Sequence, residues 1–220
     1  MEPTVAARSG RKPVLEPLTR PAPARSEQAP PHPATMTPRQ RARRDRLIEA
    51  ALALLETQEY ETVQVKEVAD RAGVSLGTLY NYFSSKERLF AEVLVRWADN
   101  LPTNVRSRPL KAAPPADRLR EAVHRALRAF ERRPQMARLV NVLVMSTDPL
   151  AGELLARMDR STTDAYMLAL AGTDPDLARR TVSLVNAVFS VSLREWSLGR
   201  ITMNEVYDRL GTAITTAVPG

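Results

Sequence analysis

The chain has 220 residues, 44% hydrophobic and 26% charged, a composition that supports a sizeable core and allows one large domain or two small ones. It has no cysteine, which excludes disulfides, thiolate metal sites and a cysteine nucleophile, and no apolar run suits a signal-peptide core or a bilayer span; the expectation is a soluble, cytoplasmic protein with no membrane partner. The net charge of +7 divides as +2 over residues 1–36, zero over 37–101 and +5 over 102–220, so local clustering must carry any argument about a polyanionic partner.

Residues 1–36 concentrate prolines and nearly lack large apolar side chains, so they cannot bury enough surface to offset the entropy of ordering. They read as a disordered tail, with an inert extension as the simpler role and a basic arm along a polyanion as the alternative. From Thr37 the pattern turns helical. Thr37 before Pro38 predicts an N-cap with proline at the first helical position, and Leu47, Ala51, Leu54 and Leu55 give an apolar face to a helix ending near Thr57. Val65, Val68, Ala69 and Ala72 form a second helix that stops at Gly73, a residue suited to a left-handed turn. Ser75 caps a short third helix whose inward face is Leu79 and Phe83, and Ser84 with Glu87 predicts a capping box for a fourth.

Two short helices around a glycine turn, braced by longer ones, describe a helix-turn-helix over residues 37–84. Such a unit offers the N-terminal half of its second helix to the DNA major groove. Ser75, Leu76, Gly77, Thr78, Tyr80, Asn81 and Tyr82 are then available outside, although the spacing also lets Leu76 turn inward. Hydroxyls suit phosphate oxygens, threonine or leucine a thymine methyl, and asparagine an adenine edge. Lys86, in the first turn of the next helix, disfavours its own helix dipole and is best explained by a phosphate. One tyrosine alone would more simply be a core residue; here Leu79 and Phe83 already occupy the inward positions.

The stretch TVQVKEVADRAGVSLGTLYNYFSSKERLF resembles the DNA-binding domain of TetR-family transcriptional regulators, strongly from about Arg44 to Leu94. The resemblance implies that Thr78, Tyr80 and Tyr82 lie at the DNA backbone or base edges and that Lys86 holds a phosphate. It also implies that Arg41, Arg43 and Arg44 reach toward an adjacent groove. A double-stranded operator, expected to be palindromic, and a homodimer formed by the last two long helices follow from the same resemblance. The proline-rich tail departs from the family pattern.

The rest is also predicted helical after a proline-rich break that follows Leu101: near Pro115 to Arg132, Pro134 to Ser146, Leu150 to Ala171, Asp174 to Leu198 and Thr202 to Ala217. The total is about nine helices, an all-α fold with residues 85–220 as an effector-binding and dimerisation domain. The penultimate helix is apolar on two sides and needs two neighbours. Val182, Val185 and Leu193, with Val206, Leu210 and Ile214 of the last helix, are the candidate dimer contacts, burial within one protomer being the plainer explanation. Candidate effector contacts are Trp97, Phe130, Leu139, Leu143, Met158, Tyr166 and Phe189, with Asn141, Asn186 and Arg194 as polar anchors. An unpaired buried arginine is costly, so Arg194 reaches solvent, meets an acid or waits for an anion. The spacing of RPQMARLVNVLVMSTDPLAGELLARM also resembles the mycobacterial and rhodococcal regulators of steroid degradation within the same family. That implies a bulky hydrophobic effector, such as an acyl or steroid-like acid or its thioester.

An enzyme is the weaker alternative. His32 and His124 have no serine, carboxylate pair or metal-ligand spacing beside them, so no catalytic residue, metal or cofactor is expected. A helix-turn-helix used only for architecture or protein contact is the other alternative.

Overall fold

The computed structural model describes residues 33–101 and 113–218, and every α-helix or turn of helix in them is joined by loops, with no strand among the described residues. Of the disordered tail expected over 1–36, residues 1–32 lie outside the described residues, as does the proline-rich break over 102–112; the tail's last residues are corrected, since Pro33–Thr35 form a 3-10 turn and Met36 is buried. After a 3-10 turn at Pro33–Thr35 come α1 (Pro38–Leu54), α2 (Val65–Arg71), α3 (Leu76–Tyr80) and α4 (Lys86–Asp99). The described remainder forms α5 (Pro115–Arg132), α6 (Pro134–Val144), α7 (Pro149–Ala169), α8 (Pro175–Ser197) and α9 (Met203–Ala217).

Local chemistry sets most helix starts. The Gln40 N–H donates to Thr37 Oγ1 at 3.3 Å and the Thr37 N–H to Gln40 Oε1 at 2.8 Å, so α1 opens on a capping box with Pro38 just inside. Gly73 adopts φ 68° between α2 and α3, and prolines stand at the starts of α5, α6, α7 and α8. Several boundaries differ from the sequence expectation by one to three residues, and two of them have a visible cause. α1 ends at Leu54 because the backbone of Thr57 and Gln58 turns back onto the Leu54 carbonyl. Ser85, not Ser84, caps α4 by accepting from the Arg88 N–H at 2.9 Å; Glu87 closes no box and instead meets Tyr60.

The buried apolar residues form two clusters. The first joins Leu47, Leu79, Phe83, Phe90 and Leu94 of the N-terminal helices to Leu139, Leu143 and Leu154 of α6 and α7. The second joins α5, the end of α7, α8 and α9 through Leu119, Tyr166, Val185, Val206 and Leu210. A fully buried side chain such as Phe83 contributes about 1.5–3 kcal/mol by leaving water. The boundary expected at residue 84/85 falls inside the first cluster, so the N-terminal head and the helices behind it share apolar packing. Charge clamps α1 onto α4 as well. Glu92 meets Arg44 at 2.6 Å and Arg88 at 3.4 Å, and Arg96 meets Asp45 at 2.5 Å and Glu49 at 3.0 Å.

Candidate nucleic-acid interface

α3 is short, and the first cluster holds its inward side through Leu79 and Phe83, both with no exposed surface. Ser75, Leu76, Gly77, Tyr80 and Asn81 are exposed beside it, and Thr78 is half-buried. Leu76, whose spacing left both sides open, is 37% exposed and faces outward. Ser75 Oγ accepts the Thr78 N–H at 3.1 Å, capping the helix, and lies 2.9 Å from Thr78 Oγ1, so the two hydroxyls are held together. A Cβ on Gly77 would meet nothing nearer than Ser75 Oγ at 4.0 Å. The fold itself does not need a glycine there, and the position offers open space to an approaching surface. Arg39, Arg43 and Arg46 are exposed on the first turns of α1, and Arg41, also exposed, donates through Nη1 to the Met36 carbonyl at 2.5 Å.

Two expected contact residues are placed otherwise. Tyr82 is only 8% exposed and belongs to the first cluster. α3 ends at Tyr80, so Tyr82 lies in the following turn, where helical spacing no longer says which way a side chain points. Arg44 has a side chain 12% exposed, paired with Glu92, with its guanidinium 5.4 Å from the centroid of the Phe83 ring. It is spent on holding α1 against α4, and the run of arginines in the sequence could not distinguish it from its neighbours.

Lys86 opens α4 and is half-buried. Its Nζ sits 4.4 Å from the centroid of the Tyr60 ring and donates to the Glu61 carbonyl at 3.5 Å. Burial pulls its pKa below the usual lysine value, against the opposing charges of Glu61 and Glu87. Nothing local in the sequence marks Tyr60. It precedes α2 in a loop with no periodic signal, and only the fold brings it under Lys86.

The head is also bridged to the helices behind it. Arg133 meets Glu56 at 3.0 Å, Arg138 pairs with Glu59, and Ser85 Oγ donates to Asp148 Oδ2 at 2.5 Å. The last bridge borders an open cleft of about 640 Å³, lined by Ser84, Glu87, Met145, Asp148 and Leu150 among others.

The candidate effector residues divide between the clusters. Trp97, Phe130, Leu139 and Leu143 belong to the first, Met158 packs against it and Phe189 touches both; the Trp97 and Phe130 rings are 5.1 Å apart. Tyr166 belongs to the second, with a buried hydroxyl that has no partner among the described residues and a pKa pushed up by burial. Asn141 donates to Ser197 Oγ at 2.6 Å and Asn186 to Thr163 Oγ1 at 3.0 Å, so both already have protein partners. Arg194 is exposed, which selects the solvent among its three alternatives. The residues expected as dimer contacts, Val182, Val185, Leu193, Val206, Leu210 and Ile214, are all buried within the protomer, the plainer of the two explanations. Of the two apolar sides of α8, Val182, Val185 and Leu193 line the inner one, and Leu184, Val191 and Leu198, the residue that caps its end, expose 42%, 46% and 56% on the other.

Among the described residues no group of histidines and carboxylates could hold a metal, and no helix is long and apolar enough to cross a membrane. The fold and its exposed short helix define a helix-turn-helix protein with a helical domain behind the DNA-reading head. Residues 47–93 match the family described as bacterial regulatory proteins, tetR family. The chain is 32% identical over 157 residues to the HTH-type transcriptional activator FasR of Mycolicibacterium smegmatis, covering 70% of this chain and 72% of that protein. It is 28% identical over 176 residues to the HTH-type transcriptional repressor KstR of Mycobacterium tuberculosis, covering 80% of each. The crystal structure of a TetR transcriptional regulator from Rhodococcus sp. RHA1 superposes with a TM-score of 0.69 at 26% identity, covering 83% of this chain and 98% of that one. The protein belongs to the tetR family of bacterial transcriptional regulators and is a DNA-binding regulator, not an enzyme.

Proposed function

We propose that this regulator binds a palindromic operator as a homodimer, represses transcription there, and is released by a small hydrophobic effector of acyl or steroid-like character. The observation that carries the DNA part is the outward set on α3, Leu76, Gly77, Tyr80 and Asn81 beside the Ser75–Thr78 pair, flanked by Lys86 and the exposed arginines of α1. A groove-reading helix needs these small, hydroxyl and amide groups outside and a rigid apolar backing inside. Repression follows the similarity to proteins named KstR; the similarity to FasR, named an activator, makes the sign a point to test. The partner protomer is assigned to the outer side of α8, where Leu184, Val191 and Leu198 recur every seventh residue and so share one face.

Release would act through the bridges from Glu56, Glu59 and Ser85 to Arg133, Arg138 and Asp148. A change in α6 or at the start of α7 is thereby felt by the head, and a shifted head spacing no longer fits successive major grooves, about 34–36 Å apart for one turn. The test is a footprint of the full chain on the DNA upstream of its own gene, with and without hydrophobic acids and their thioesters, together with transcript levels after deletion. Protection at a symmetric site, lost on adding an effector and accompanied by a rise in transcript on deletion, is expected. Binding no stronger than to random DNA would overturn the reading in favour of an architectural protein. Thr78→Ala and Asn81→Ala should alter the preferred sequence; equal losses on cognate and random DNA would remove both from base readout.

A further inference from the structure

Tyr60 and the start of α4 form a cluster that the DNA-reading role does not by itself require. The Tyr60 ring is buried against Phe90, edge to face with centroids 5.1 Å apart, which fixes its plane. Lys86 Nζ sits over the face of that ring, 4.4 Å from its centroid and within cation–π range. The Tyr60 hydroxyl lies 3.5 Å from Glu87 Oε1, the carboxylate next to Lys86 in sequence. The Glu61 carbonyl takes one of the three ammonium protons at 3.5 Å, leaving donors for another acceptor.

A lysine on a four-carbon stem loses much rotamer freedom when it binds a phosphate, and a side chain already held in place loses less. We infer that Tyr60 is a positioning residue for DNA binding: its ring holds the Lys86 ammonium ready for a backbone phosphate, and its hydroxyl occupies the Glu87 carboxylate that would otherwise compete for that ammonium. The inference rests on Lys86 contacting phosphate, as proposed above. Tyr60 is therefore distinct from an ordinary core tyrosine, because its effect on DNA binding passes through one named cation. The burial that lowers the Lys86 pKa is consistent with an ammonium lodged against the ring.

The test is a double-mutant cycle on the full chain, read as affinity for a random-sequence duplex over a range of salt concentrations. Lys86→Ala should reduce the slope of log affinity against log salt by about 0.9. Tyr60→Leu should weaken binding by about threefold in the native background and by nothing further in the Lys86→Ala background, whereas Tyr60→Phe keeps the ring and should lose less than Tyr60→Leu. Carbon-bound proton shifts of the Lys86 Cε methylene, moved upfield by the ring, should persist in Tyr60→Phe and vanish in Tyr60→Leu. If Tyr60→Leu does not fold, Tyr60→Met carries the same cycle. Equal losses with and without Lys86, or an unshifted methylene in the native protein, would overturn the positioning role while leaving the DNA-reading face intact. An unchanged salt slope in Lys86→Ala would overturn the phosphate contact and the positioning role with it.

Discussion

Replacing Glu92 by glutamine tests the claim that Arg44 belongs to the α1–α4 clamp. Glu92 and Arg44 each expose 12% of the side chain and meet at 2.6 Å, with Arg88 at 3.4 Å on the same carboxylate oxygen. Breaking a fully buried pair by removing one charge costs about 3–5 kcal/mol, because the other charge is left uncompensated. Some water reaches this pair, and Arg44 keeps its contact with the Phe83 face, so about 2–3 kcal/mol is the expected loss. For a chain of this size that lowers Tm by about 5–10 °C. The assay is thermal unfolding by circular dichroism at fixed protein concentration, since a dimer melts in a concentration-dependent way. Arg44→Met with Glu92→Met, which removes both charges and keeps bulk, should recover most of the loss. The same reasoning makes Arg44→Ala costly in Tm but neutral in the salt slope of DNA binding, the opposite of Arg43→Ala. A Glu92→Gln melt within about 1 °C of native, or a reduced salt slope in Arg44→Ala at full folding, would refute it.

Gly73→Ala should destabilise by about 1–2 kcal/mol, read as a lower Tm, because Gly73 has φ 68° and a Cβ there strains the backbone although nothing crowds it. Leu184→Asp with Val191→Asp should convert a dimer to monomer in analytical ultracentrifugation while leaving the helical spectrum unchanged; an unaffected dimer would place the partner elsewhere. His124 is half-buried against the Tyr207 ring at 4.7 Å, and burial together with the neighbouring Arg128 charge lowers its pKa. Its folded pKa is below the unfolded value of about 6.5, so the unfolded chain takes up the proton first. The stability it contributes is present above that value and is lost as pH falls through the folded pKa. Melts between neutral pH and pH 5 should therefore show a smaller decline for His124→Gln than for the native chain.

The element order was legible because its signals are local. Thr37, Ser75 and the helix-opening prolines act on backbone groups within one turn, Gly73 answers a backbone angle, and the inward Leu79 follows from helical spacing along one short segment. The outward position of Ser75, Gly77, Tyr80 and Asn81 follows from the same spacing. Where the helix stops, so does the inference, and Tyr82 turned inward just beyond it.

Which partner each side of an element meets is set by packing between helices, not by their local pattern. α8 is apolar on two sides, and periodicity measures the sides without saying which neighbour lies on each. The fold packs Val182, Val185 and Leu193 inside the protomer and leaves Leu184, Val191 and Leu198 outside. Arg44 and Arg43 are adjacent arginines in one basic run, and a carboxylate 48 positions from Arg44 makes one of them structural. Tyr60 and Lys86 are 26 positions apart, and no local pattern joins them. Helix propensity, capping and spacing are written in neighbouring residues, so the chain alone determines its helices and its reading head. Contacts across the chain depend on how those helices dock, and only that docking separates the residues that hold the head from those that meet DNA.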